Sequence, residues 1–148
     1  MDISLVRTRL AAAVESVVAS SGETINCYGY VPDSVTPPVF YAGEVTINPN
    51  GTFGGDDIVD ITCRVITGHS DDKEGQRLLD EFLRRTGNSS VRAALHAARG
   101  APGQYALNGA CDDFSVQAVQ GYRLYRIGSE VFFGAEIIVR AIGDGSGD

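Results

Sequence analysis

Apolar residues in the first part of the chain recur at helical steps: Ile3, Val6, Leu10, Val14 and Val17 form one stripe, and Thr8, Glu15 and Ser16 fall elsewhere on the wheel. Asp2 is placed to cap this helix and Gly22 to end it. Leu5 projects away from the stripe, as an exposed leucine or as part of a subunit contact. The period then changes to two. Residues 24–30 alternate and are aromatic, as a strand requires, until Pro32 and the Pro37-Pro38 pair stop the run. Residues 39–47 read as one irregular strand or two short ones. Residues 57–67 form the clearest strand, with Val59, Ile61, Cys63 and Val65 on one face and Asp60, Thr62 and Arg64 on the other. Between these strands, residues 48–56 collect Asn, Pro and Gly and predict an exposed, mobile loop.

A second helix is expected to start at Ser70 or Asp71, with Leu78, Leu79, Phe82 and Leu83 as its stripe, Asp80/Arg84 and Glu81/Arg85 as surface pairs, and Gly87 at its close. Ser89 or Ser90 caps a shorter helix carrying Val91, Ala94, Leu95 and Ala98 before Gly100, Pro102 and Gly103 break it. Alternation returns at Phe114, Val116 and Ala118, and Gly121 marks a turn or bulge within that strand. Gly128-Ser129 suits a type II′ hairpin turn into the last strand. There Val131, Phe133, Ala135, Ile137 and Val139 face away from Gly134, Glu136 and Arg140, and residues 143–148 read as a disordered tail. The order predicts a single α+β domain over residues 1–142, a mainly antiparallel β-sheet with helices packed on one face.

Composition narrows the function classes. An apolar share of 43% with 21% charged residues is that of a globular chain. Twelve basic against nineteen acidic side chains leave a net charge of -7, the wrong sign for gripping phosphates. Cys27, Cys63 and Cys111 are odd in number and lack CxxC spacing, which points to buried free thiols rather than a disulfide framework or a zinc site. The start of the chain has no signal-like segment and no apolar run is long enough to span a bilayer, so a soluble protein in a reducing compartment, without membrane contact, is expected.

The search for chemistry is mostly negative. His69 and His96 belong to no metal-spaced cluster, and there is no GxSxG, P-loop, GxGxxG or HExxH. The doublets Asp56-Asp57, Asp71-Asp72 and Asp112-Asp113 fit a strand flank, a helix N-terminus and a turn better than a catalytic or Mg²⁺ site. Aromatic residues at 28, 30, 40, 41, 122, 125, 132 and 133 suit sheet cores and cross-strand pairs. No catalytic residue, cofactor or metal is predicted.

In chain order, the N-terminal amphipathic helix, the segment Tyr28-Gly29-Tyr30-Val31-Pro32-Asp33-Ser34-Val35-Thr36-Pro37-Pro38, the strand at 57–67, the helix at 71–85, Ser89-Ser90-Val91-Arg92-Ala93-Ala94-Leu95 and the closing hairpin resemble tail terminator proteins of long-tailed siphophages, especially those infecting actinobacteria. The distinctive part is Pro-Asp-x-Val-x-Pro-Pro followed by Ser-Ser-Val-x-x-Ala-Leu. The resemblance implies a virion structural protein at the head-tail junction, assembled in the host cytoplasm as a homo-oligomeric ring, commonly a hexamer. Such a ring binds the last ring of tail tube protein, terminates tube polymerisation, offers a joining surface to head-completion proteins and lets DNA pass without specific binding. The alternatives are another head-tail connector or minor tail protein, or a small cytoplasmic enzyme or ligand-binding domain with a pocket between helix pair and sheet.

A ring subunit must reach its neighbour through surface that need not be formed in the monomer. The loop residues Asn48, Asn50, Gly51, Phe53, Gly54 and Asp56, with Phe53 as apolar anchor, are therefore the candidate assembly interface, together with Leu5. The charge balance predicts no measurable binding to duplex DNA, since no Lys/Arg cluster exists beyond Arg84-Arg85. An electrophoretic mobility shift at low salt that fades as salt rises would contradict this.

Overall fold

The computed structural model describes residues 1–49, 51, 55–101 and 104–143. In chain order the elements are α1 (Ile3–Val14), β1 (Asn26–Tyr28), β2 (Val39–Asn48), β3 (Asp57–His69), α2 (Lys73–Phe82), α3 (Val91–Ala97), a 3-10 turn at Leu107–Gly109, β4 (Asp113–Ile127) and β5 (Glu130–Gly143). The strands form one sheet in the order β1-β2-β3-β5-β4. The fold is α+β with a mostly antiparallel sheet, as expected; only β1 runs parallel to its neighbour β2.

β3 and β5 carry the alternation that organises the core. Val59, Ile61, Cys63 and Val65 on β3, and Ala135, Ile137, Val139 and Ala141 on β5, are fully or almost fully buried. They share one cluster with Val6, Leu10 and Val14 of α1, Leu78, Leu79 and Phe82 of α2, and Val91 and Leu95 of α3. Burying a side chain of this size contributes about 1.5 to 3 kcal/mol, so this cluster dominates the stability. A second, smaller cluster of Val39, Tyr41, Ile66, Tyr125 and Phe132, with Val35 against it, uses the alternate residues of the same strands. Phe132, one of the aromatic residues expected in the sheet core, is completely buried there.

Several boundaries differ from the periodic reading. α1 is capped by Asp2, whose carboxylate accepts from the Ser4 and Leu5 N–H groups. It ends at Val14, while Val17 remains in the core beyond it and Gly22 sits in a later turn. β1 is only three residues long, and Thr24 before it forms an isolated antiparallel bridge with Val18. α2 is capped by Asp72, later than Ser70 or Asp71, and α3 by Ser90, whose hydroxyl accepts from Ala93 N–H and donates to the Arg84 carbonyl. Gly143 belongs to β5, opposite Asp57, instead of opening a disordered tail; residues 144–148 lie outside the described residues. The hairpin turn agrees with expectation. Ile127 pairs with Glu130, and of the two turn residues only Gly128 has a positive φ, +64°, as a type II′ turn requires.

α2 is seated on β3 by an unusually close approach. A Cβ on Gly68 would meet the Gly75 Cα at 3.0 Å, and one on Gly75 would meet the Gly68 Cα at the same distance. Beside this contact the Thr67 hydroxyl donates to the Gly75 carbonyl at 2.5 Å. Cys63 and Cys111 are buried and Cys27 is half-buried; all three are free thiols, and burial pushes each up to about 12, with nearby carboxylates adding to the effect at Cys27 and Cys111.

Glu81 is not the surface partner of Arg85 that helical spacing suggested. It is 7% exposed, and its carboxylate accepts from the Ser20 N–H at 2.5 Å and the Ser20 hydroxyl at 3.1 Å, tying α2 to the turn that follows α1. Burial pushes the Glu81 carboxyl up, but the Ser20 bonds, a bond from Ser89 and the charge of Arg84 outweigh it and hold it below the usual range. Glu81→Ala should cost about 1 kcal/mol at neutral pH, through loss of the bonds from Ser20, an exposed residue whose donors water can satisfy instead. A lowered folded-state pKa means that the charge-dependent part is complete above the ordinary carboxylate range and is lost as pH falls through the lowered value. Urea titrations of both proteins across the acid range should therefore show the difference narrowing. A difference that stayed constant with pH would mean that the charge of Glu81 contributes nothing.

Candidate assembly surface

Of the residues singled out from sequence, Leu5, Asn48, Gly51 and Asp56 are among the described residues. Leu5 is not an exposed outlier: it is half-buried and packs against the main core cluster, because α1 lies deep enough for a residue beside the stripe to touch it. Asn48 is the exposed last residue of β2. Gly51 N–H donates to the Asp56 carbonyl at 2.8 Å, which closes the loop, and Gly51 lies so near Ile58 that a Cβ there would meet its side chain at 2.9 Å. Asp56 is partly buried. Asn50, Phe53 and Gly54 lie outside the described residues.

Sequence reasoning missed the edges of the sheet. β4 is an outermost strand, and among the described residues no strand pairs with its outer side. At the other end β1 pairs with Val39, Phe40 and Tyr41 of β2, and among the described residues no strand pairs with the outer edge of residues 43–48. Four of the eight large apolar side chains exposed among the described residues sit on these two strands: Ile47 at 49%, Val119 at 38%, Tyr122 at 44% and Leu124 at 49%. Tyr122, expected in the sheet core, instead donates its hydroxyl to Asp80 at 2.5 Å, which takes Asp80 away from the expected Arg84 pair. Tyr30 is likewise exposed rather than core.

Both edges are irregular. The register shifts between Val116 and Ala118 and between Gln120 and Arg123 on β4, and between Ala42 and Val45 on β2. Gly121, with φ +63°, forms the second of these bulges. Its carbonyl accepts from the Tyr125 hydroxyl at 2.6 Å, and a Cβ at Gly121 would lie 2.5 Å from that oxygen. Bulges twist an edge and deny it to arbitrary strands.

The alternate residues of the central strands carry charge. Arg140 grips Asp60 through Nε at 2.8 Å and Nη2 at 3.1 Å. Arg64 reaches Glu136 at 3.3 Å and the Tyr41 hydroxyl at 3.2 Å, with its guanidinium 4.5 Å from the Tyr125 ring centroid. Burial works against the Arg64 charge, but Tyr41 and Glu136 outweigh it and raise its pKa further. Every charge here already has a partner, so the cluster reads as structure.

A cavity of about 620 Å³ is lined by Arg99, Gly100, Ala101, Gln104, Tyr105, Asp112 and Asp113. It lies where the chain leaves α3 and enters β4, not between the helix pair and the sheet, and its arginine is already bonded to Asp113 at 3.1 Å. Among the described residues no group of three or more His, Cys, Asp or Glu is placed to hold a metal ion, and no helix is long and apolar enough to cross a membrane. Neither a family model nor a curated protein matches the chain.

The reassignment of Leu5 has a measurable consequence. Leu5→Ala should lower stability by about 1 to 2 kcal/mol, less than for a fully buried leucine, and leave particle size in light scattering unchanged. Loss of oligomer with an unchanged melting temperature would return Leu5 to the interface.

Proposed function

We propose that this chain is a virion structural subunit, the tail terminator that caps a completed tail tube, stops its polymerisation and presents the surface to which the head is joined. It acts as a homo-oligomeric ring in contact with tail tube protein and head-completion proteins. The observation that carries this reading is the ordered pair of motifs, Pro32-Asp33-Ser34-Val35-Thr36-Pro37-Pro38 and Ser89-Ser90-Val91-Arg92-Ala93-Ala94-Leu95, in the setting of helix, strands, helix pair and hairpin. Both motifs have structural work to do. Val35 packs against the second cluster, and Ser90 caps the helix whose Val91 and Leu95 enter the core. A resemblance resting on such positions speaks for a shared fold and not for a shared reaction.

Two further features support a subunit over an enzyme. The clustered aromatic and charged side chains of Tyr41, Arg64, Tyr125 and Glu136 are committed to one another, and half of the large exposed apolar side chains among the described residues lie on the two edge strands, where a neighbour would cover them. The net charge of -7 suits a ring through which DNA slides without being held.

Disruption of the gene in the phage that carries it tests the reading directly. Electron microscopy of the lysate should show heads without tails and tail tubes of irregular, often excessive length, and supplying the protein in trans should restore virions. Normal virions from the disrupted phage would overturn the assignment.

A further inference from the structure

We infer that the open edge of β2 at residues 43–48 and the outer edge of β4 are the two halves of a head-to-tail contact between copies of this chain, which continues the sheet from one subunit to the next. The inference rests on the ring reading above and names the surfaces that would build it.

Strand direction comes first. β2 to β3, β3 to β5 and β5 to β4 are each antiparallel, so the two end strands β2 and β4 run opposite to one another. Rotation about an axis along the strands preserves their direction, so it sets β2 of the next copy antiparallel to β4, the pairing that the rest of the sheet already uses. The side chains agree. Ile47 lies opposite Val59, Val119 opposite Ile137 and Leu124 opposite Phe133, which places all three on the face of the sheet that bears Val59 and Ile137. Joined edge to edge, the copies would bring these exposed residues together on one side.

Charge points the same way. The exposed charged residues of β4 are Arg123 and Arg126, whereas the open part of β2 exposes Glu44 and no base. A chain that is acidic as a whole thus presents a basic edge and an acidic one, a pattern that favours unlike edges over two like ones. Because the two edges differ, the contact is heterologous and closes into a ring or propagates, unlike a two-fold dimer. The bulges limit regular backbone pairing and so favour a mate of matching shape.

The test uses two edge-blocked variants of the full chain. Glu44→Lys/Ile47→Lys blocks the β2 edge, Val119→Lys/Leu124→Lys blocks the β4 edge, and each leaves the other edge intact. Size-exclusion chromatography with light scattering is run over a concentration series, and thermal melting confirms that both variants fold. Wild type is expected to assemble, each variant alone to run as a monomer, and their equimolar mixture to give a dimer of twice the monomer mass that grows no further. If wild type assembles and the folded variants assemble equally well, the inference fails and the ring reading stands. A mixture of monomers, or a dimer formed by either variant alone, also overturns it. A monomeric wild type overturns it too, and the tube-capping assignment is then judged by the gene disruption alone.

Discussion

The antiparallel pairing of β3 with β5 is the constraint on which the other contacts depend, since both strands lie inside the sheet and supply alternating residues to both clusters. A slip of one residue would turn every apolar side chain of the main core to the wrong face. The charged positions guard against the slips that preserve the faces. Asp60 stands opposite Arg140 and Arg64 opposite Glu136, with the signs reversed between the two pairs. A shift of four residues one way would set Asp60 against Glu136, and the other way Arg64 against Arg140. A shift of two would leave each charge opposite an uncharged residue, Ile, Gly or Thr62. Partly exposed ion pairs contribute little to stability, about 0 to 1 kcal/mol each, but they can specify an arrangement that hydrophobicity alone leaves degenerate.

The other elements attach to this pair by few and specific contacts. α2 is seated through Gly68 and Gly75, and Glu81 then fastens the turn after α1 to α2 across 61 residues of sequence. On the alternate positions Val35 brings the connection between β1 and β2 onto the second cluster. The sheet therefore has apolar clusters of unequal size on its two faces, and the ion pairs share the face of the smaller one.

How much of this could be read in the sequence follows from the range of each interaction. β3, α3 and the final hairpin were legible because their signals are local: strict alternation, a serine cap, and glycine at the first turn position. β1 was not, since three residues in parallel pairing with β2 have no periodicity of their own and are set by the neighbour they meet. The end of α1 was misplaced because Val17 keeps the helical stripe although the chain has already turned. The second cluster was not legible as a unit, because alternation along one strand reports one buried face and carries no sign of another. The edges of the sheet were the least legible. A strand's pattern does not say whether it lies inside a sheet or at its edge, so the open sides of β2 and β4 emerged only with the topology, while attention fell on a loop conspicuous for its composition.

The seat of α2 on β3 bears on how this sequence can drift. At most helix-sheet contacts a larger residue on one side can be answered by a smaller one on the other, and a lineage can exchange volumes step by step. Where Gly68 meets Gly75 there is nothing smaller to retreat to, so enlarging either residue lifts the helix bodily and loosens the grip of Thr67, with Glu81 and Asp80 carried along on the same helix. The two positions are therefore locked in composition without any bond between their side chains, and related chains should keep both glycines or have rebuilt the whole corner.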